Sequence, residues 1–254
     1  SIISRMHRAA GIYMDFIYEY HAGLYVKAQL DIIKKNRGFR FIPGLFRTPK
    51  DANRFIVETY SDLHYTAPNI YDQRIKAYTG TLGEAREIPG ITEYFNINIY
   101  APYLIGQRLL SPLAPNSHKY YRYDIDSVSC DSMQRLEYHI RFVPRNKSFQ
   151  LVDGRMVVTE GAWSVREISF KGQADLLHFN CHVRMGDIGT ETEYLPVAIG
   201  IDASFAFAYN VMEGYYEANL DYRDIRHARN TPEDSLTRRD YNLTASFSLQ
   251  CDRK

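Results

Sequence analysis

The hydrophobic period of this chain changes once, near Phe16, and that change constrains the fold more than any single motif. From Ile2 to Met14 the apolar residues Ile2, Ile3, Met6, Ala9, Ala10, Tyr13 and Met14 recur at intervals of three and four, which predicts an amphipathic helix. From Phe16 the period becomes two. Tyr18, Tyr20, Ala22, Leu24, Val26 and Ala28 fall on one side of an extended segment, and Glu19, His21, Tyr25, Lys27 and Gln29 on the other, which predicts a long first strand. Further strand-period segments follow at hairpin-like intervals: Phe55–Tyr65, Tyr71–Thr79, Tyr94–Ile99, Tyr120–Val128, Arg135–Val143, Leu151–Thr159, Ser164–Phe170, Leu176–Arg184, Tyr194–Ala206, Glu213–Tyr222 and Tyr241–Gln250. No helix-period stretch separates them, so the expectation is a mainly β chain, a long antiparallel meander of consecutive hairpins. All-β domains run past 200 residues, and the 254 residues here are expected to form a single domain over 1–254.

A sheet with one wet face needs a cover on the other. In Tyr120–Val128 the residues Tyr121, Tyr123, Ile125 and Val128 alternate with Arg122, Asp124 and Asp126, so one face is expected to be dry. Candidate covers are the leading helix over 1–14 and the loop Arg37–Lys50, whose Phe39, Phe41, Ile42, Leu45 and Phe46 are unusually apolar for exposed backbone. Gly80–Gly90 and Ala101–Ser117 read as long loops suited to lid or docking roles, and Arg223–Asp240 as a surface loop.

Composition excludes several functions. Lys and Arg number 31 against 30 for Asp and Glu, and without a block of like charge there is no footprint for nucleic acid. The most apolar run, Val197–Phe207, is broken by Asp202 and Ser204, so no membrane helix is expected. Three cysteines, Cys130, Cys181 and Cys251, show no zinc spacing. The chain begins at Ser1 without a leader and ends in polar residues, as expected of a segment of a longer protein. No hydrolase elbow, phosphate loop, dinucleotide turn or zincin helix occurs, and no cofactor is expected.

Four local constellations invite chemistry, each with a simpler reading. His178-Phe179-Asn180-Cys181-His182 resembles a metal site, but on a strand the histidines stand roughly 13 Å apart and Cys181 points to the opposite face. Asp124 and Asp126, about 6.6 Å apart on a strand, match the spacing of glycosidase carboxylates, or a solvated face beside Arg122. Glu191 and Glu193 beside Asp187 lack the pattern of a calcium loop and read as a surface turn. Ser117 beside His118 is sequence adjacency only. The 21 tyrosines against one tryptophan offer a different possibility. Tyr20, Tyr25, Tyr60, Tyr65, Tyr71, Tyr78, Tyr94, Tyr100 and Tyr103 line an apolar pocket or finish the edge of the core.

The run Ser111-Pro112-Leu113-Ala114-Pro115-Asn116-Ser117-His118-Lys119-Tyr120-Tyr121-Arg122-Tyr123 resembles a motif of a large Bacteroidetes outer-membrane family of unknown function. Ile140-Arg141-Phe142-Val143-Pro144-Arg145, Val157-Val158, Ala162-Trp163-Ser164-Val165, Glu58-Thr59-Tyr60-Ser61, the stretch Tyr65 to Tyr71 and Leu195-Pro196-Val197 are similar to further motifs of that family, in its order. Ser117-His118 and Tyr194-Leu195 depart from its pattern. Members carry an N-terminal carboxypeptidase-regulatory-like sandwich and a C-terminal β-barrel. The resemblance implies that this chain is the periplasmic segment between them, at the periplasmic face of the outer membrane. It also implies a half-barrel similar to lipoprotein carriers of the LolA/LolB type, with a helix and loop covering the concave sheet. Asp126-Ser127-Val128, Asp131-Ser132-Met133 and Asp234-Ser235-Leu236 match an O-glycosylation pattern of exported proteins in that phylum.

The function expected from these observations is non-catalytic binding of an apolar or lipid-like ligand in the concave sheet, at Tyr20, Tyr25, Phe41, Ile42, Phe46, Tyr103 and Leu104. The rival expectation is a scaffold linking the sandwich to the attached membrane barrel. Neither needs a metal.

Overall fold

The computed structural model describes residues 1–35, 53–67, 70–81, 98–104, 108–174 and 176–227. The chain opens with a 12-residue helix, α1 (Ile2–Tyr13), capped by the Ser1 hydroxyl, which accepts the Ser4 amide at 3.3 Å. The spacing seen in the sequence buries Met6, Ala9, Ala10 and Tyr13 on one stripe. Ten strands follow: β1 (Ile17–Lys34), β2 (Arg54–Thr66), β3 (Ile70–Gly80), β4 (Tyr121–Cys130), β5 (Leu136–Pro144), β6 (Asp153–Thr159), β7 (Val165–Ala174), β8 (Leu177–Met185), β9 (Pro196–Phe207) and β10 (Asn210–His227). All pair antiparallel in one open, curled sheet.

The strand order is β3-β2-β1-β10-β9-β8-β7-β6-β5-β4, so the expected meander is interrupted once. β1 to β3 run out to one edge, and β4 begins at the other. From there β4 to β10 return hairpin by hairpin until β10 pairs with β1 along most of its length. The segment between Gly80 and Tyr121 makes the crossing, and its described part packs Ile99, Tyr100, Leu104, Leu109 and Leu113 into the core. A segment so buried cannot be the free lid or docking loop expected at Ala101–Ser117.

The inner face of the sheet is covered unevenly. On β1 the side chains of Tyr20, Ala22, Leu24 and Val26 are buried while His21, Tyr25 and Lys27 face solvent, as the period of two requires. A helix of 12 residues is about 18 Å long, whereas an 18-residue strand runs roughly 57 Å. Among the described residues, α1 therefore covers only part of the inner face, even with the described part of the crossing segment beside it. The buried residues accordingly divide into a main cluster around α1 and a small separate one, Ile32, Phe55 and Met212, at the far end of β1, β2 and β10.

Other sequence expectations shift locally. The dry face predicted for Tyr120–Val128 holds at Tyr121 and Tyr123, but Ile125 and Val128 are exposed, because β4 is an edge strand and the cover stops short of its far end. Asn98 and Ile99, expected to end a strand Tyr94–Ile99, instead form a turn with Tyr100. There the Asn98 side-chain amide donates to the Met14 carbonyl at 3.1 Å and closes α1. Arg223 to His227 continue β10 rather than starting a surface loop, because β1 offers paired backbone as far as Ile17. All of the apolar loop Arg37–Lys50, most of Gly80–Gly90, and Tyr241–Gln250 lie outside the described residues.

Candidate functional site

Under α1 the inner face is filled, and several of its tyrosine hydroxyls are paired with backbone groups. The Tyr13 hydroxyl donates to the Ala162 carbonyl at 2.6 Å, and Tyr100 accepts the Val165 amide at 3.0 Å. Tyr13 stacks on Tyr194 at 4.3 Å, and Tyr20 packs against Tyr65 at 4.9 Å and Tyr222 at 5.0 Å. Burial pushes the Tyr20, Tyr100 and Tyr222 phenols well above their ordinary range. These tyrosines finish the core.

The Ser111–Tyr123 motif is a buried fastener. The Pro112 carbonyl accepts from His7 Nε2 at 2.9 Å, Ser117 Oγ at 2.9 Å and the Tyr123 hydroxyl at 2.6 Å, joining α1 to β4. The Tyr121 hydroxyl donates to the Leu110 carbonyl at 2.6 Å and accepts the Val152 amide at 3.1 Å. Ser117 does meet a histidine, His7 rather than His118, at 2.9 Å. However, a carbonyl only accepts, so the Nε2 that bonds Pro112 carries the proton and is no base for Ser117. Ser117 is also fully buried, out of reach of a substrate.

Away from α1, side-chain size on the inner face changes row by row. One row across β1, β10, β9, β8 and β7 reads Leu30, Gly214, Ala203, Phe179, Gly172. The row on its α1 side reads Ala28, Tyr216, Ile201, Cys181, Phe170, and the row on its open side begins Ile32, Met212, Phe205, Leu177. Gly214, Ala203 and Gly172 thus floor a trough between bulkier rows. It spans three strand spacings, about 14 Å. A cleft of about 940 Å³ has Gly214, Ala203, Phe179 and Gly172 in its lining, with Leu151, Phe149, Arg145 and Lys147 from the β5–β6 connection and the polar Lys171, His178, Asn180, Asp202 and Glu213 of the same strands. Phe149, in this lining, is 72% exposed, so the cleft reaches solvent there. The two glycines differ: a Cβ on Gly172 would come within 2.9 Å of the Phe179 ring, while one on Gly214 meets nothing closer than 3.9 Å.

The residues singled out from sequence do not assemble into this trough. Tyr20 is buried in the tyrosine cluster, and Tyr25 lies on the outer face, so the two cannot line one cavity. Leu104 is buried in the crossing segment, where Tyr103 is exposed and bridges to Leu110. Phe41, Ile42 and Phe46 lie outside the described residues. The trough itself was missed because its floor consists of residues without side chains to notice, far apart in sequence. Only the strand register aligns them.

The polar constellations resolve separately. His178 and His182 face outward while Cys181 is buried, its thiol pushed up to about 12 by desolvation. Asp124 pairs with Arg122 at 3.3 Å and Asp126 with Arg155 at 3.5 Å, and a bulge between Ile125 and Ser127 breaks their simple spacing. Glu193 is buried rather than on a surface turn: it accepts from Ser164 and from the Gly189 amide, both at 2.9 Å, because the turn folds back on the start of β7. Among the described residues one group has the composition of a metal centre, Glu19, His21 and His64, on the outer face of β1 and β2. The sequence reading passed over it because its third member comes from a neighbouring strand.

A sequence profile of a family of unknown function, DUF5686, matches residues 2–223. The chain belongs to this family. No curated protein matches it. Solved structures with a similar outline include a LolA superfamily protein from Nitrosomonas europaea, 12% identical, covering 94% of this chain and 97% of that one with a TM-score of 0.31. Another is MucB in its complex with MucA from Pseudomonas aeruginosa, 6% identical, covering 87% and 94% with a TM-score of 0.24. Likenesses this remote say nothing of ligand or partner. No helix among the described residues is long and apolar enough to cross a membrane, which leaves membrane β-barrels unaddressed.

Proposed function

We propose that this chain is a non-catalytic module that holds an apolar or lipid-like ligand in the trough floored by Gly172, Ala203 and Gly214. The observation that carries this reading is the registered row in which the small residues Gly214, Ala203 and Gly172 flank Phe179 between two bulkier rows, in the lining of a cleft of about 940 Å³. A lining that sets Phe149, Leu151 and Phe179 beside Arg145, Lys147 and Lys171 suits a ligand having an apolar body and a polar head. The location at the periplasmic face of the outer membrane, attached to a membrane barrel, is supported by the motif resemblance and belongs to the same proposal.

Gly214→Leu tests it directly, because the added side chain has room and fills the floor. Titration with a fluorescent apolar probe should show saturable binding to the natural chain, weakened by about tenfold or more in the variant, with the circular dichroism unchanged. A natural chain that never binds the probe supports the rival reading, a scaffold between sandwich and barrel.

A further inference from the structure

The outer face carries a second polar site that the trough does not use. Glu19 and His21 project from the same side of β1, two residues apart, and His64 stands directly opposite His21 on β2. His64 Nε2 lies 2.7 Å from Glu19 Oε1. The two imidazole rings are parallel within 8°, with centroids 4.2 Å apart. One ligating atom from each of the three side chains lies within 4.8 Å of the others, beside a pocket of about 440 Å³ to which His21 and His64 contribute.

We propose that Glu19, His21 and His64 bind a borderline divalent cation of the zinc class. Two imidazoles and one carboxylate are a donor set that such ions accept, with a remaining position for water or a ligand atom. Coordination bonds of about 2.0–2.1 Å place neighbouring donors of a tetrahedral ion about 3.3 Å apart. The observed separations, from 2.7 Å up to 4.8 Å, bracket that value, and binding would require the stacked imidazoles to rotate about their side-chain torsions so that their in-plane lone pairs converge on the ion. The ion would take the place of the proton shared by His64 and Glu19. Two strands of one sheet hold all three residues at fixed register, which limits what must be ordered on binding.

The neighbouring charges set the strength. Arg226 lies 3.5 Å from the other Glu19 oxygen and orients the carboxylate while opposing a cation. Lys76 and Arg223 are drawn to Asp62, at 3.5 and 3.7 Å. The expected site is therefore saturable, but weaker than a closed structural zinc centre.

Titration of the untagged full chain with Zn²⁺ against a chromophoric chelator tests this. One ion per chain is expected, with affinity reduced by about tenfold or more in His21→Ala and in His64→Gln and reduced in Glu19→Gln. His182→Ala should leave it unchanged, and X-ray absorption should report two imidazole ligands. Zn²⁺ binding that is absent from the natural chain, or equally strong in the His21→Ala/His64→Gln double variant with its circular dichroism intact, overturns the proposal. The Gly214→Leu variant should bind the ion normally, which keeps this outcome separate from that of the trough.

Discussion

Two halves of one sheet face are finished in opposite ways. Beneath α1 the strands contribute large side chains, and the chain covers them itself: Trp163 stacks on Tyr138, Tyr13 on Tyr194, and the phenols of Tyr13, Tyr100 and Tyr121 all find partners. Toward the other end the strands contribute Gly172, Ala203 and Gly214; the Phe179 ring and Val152 crowd Gly172, while no described residue comes within 3.9 Å of a Cβ placed on Gly214. The difference teaches that an aromatic-rich strand marks a core more readily than a pocket.

This contrast can be broken in graded ways. Trp163→Ala, in the filled half, should cost about 3–5 kcal/mol and lower the thermal midpoint sharply. Next come the paired glycines. Gly172→Ala should cost about 1–3 kcal/mol, because the new Cβ crowds Phe179 and Val152, whereas Gly214→Ala should be within about 0.5 kcal/mol of neutral. Urea midpoints compare the two, and equal effects would contradict the trough geometry.

Tyr123→Phe should remove about 1 kcal/mol by deleting one donor to the Pro112 carbonyl, again measured by urea unfolding. A smaller effect is expected with pH. Burial holds His7 below its ordinary 6.5, so the unfolded chain takes up a proton there before the folded one does. Stability should therefore fall as pH drops from about 6.5 toward the depressed folded value, and level off below it. Replacing His7 by Gln should flatten that slope in a pH series of thermal midpoints.

Much of this fold was legible in the sequence. The helix Ile2–Tyr13 and the strand bodies follow from their apolar periods, because one face of each element is buried. The crossing from β3 to β4 was not legible, since strand periodicity carries no information about which strands pair. The Ser111–Tyr123 motif stood out as a string, but its role came only from the contact of Pro112 and Ser117 with His7, more than a hundred positions away. Tyr20 and Tyr25 already fell on opposite sides in the alternation, which argued against grouping them. Leu30, Gly214, Ala203, Phe179 and Gly172 become neighbours only through register.

The most direct test of the central claim is native mass spectrometry of the chain purified from a Gram-negative periplasm, natural sequence beside Gly214→Leu. The trough predicts lipid-like mass retained at close to one per natural chain and lost from the variant. A clean apo mass for the natural chain even after incubation with lipid extract, or equal retention by both, would contradict it.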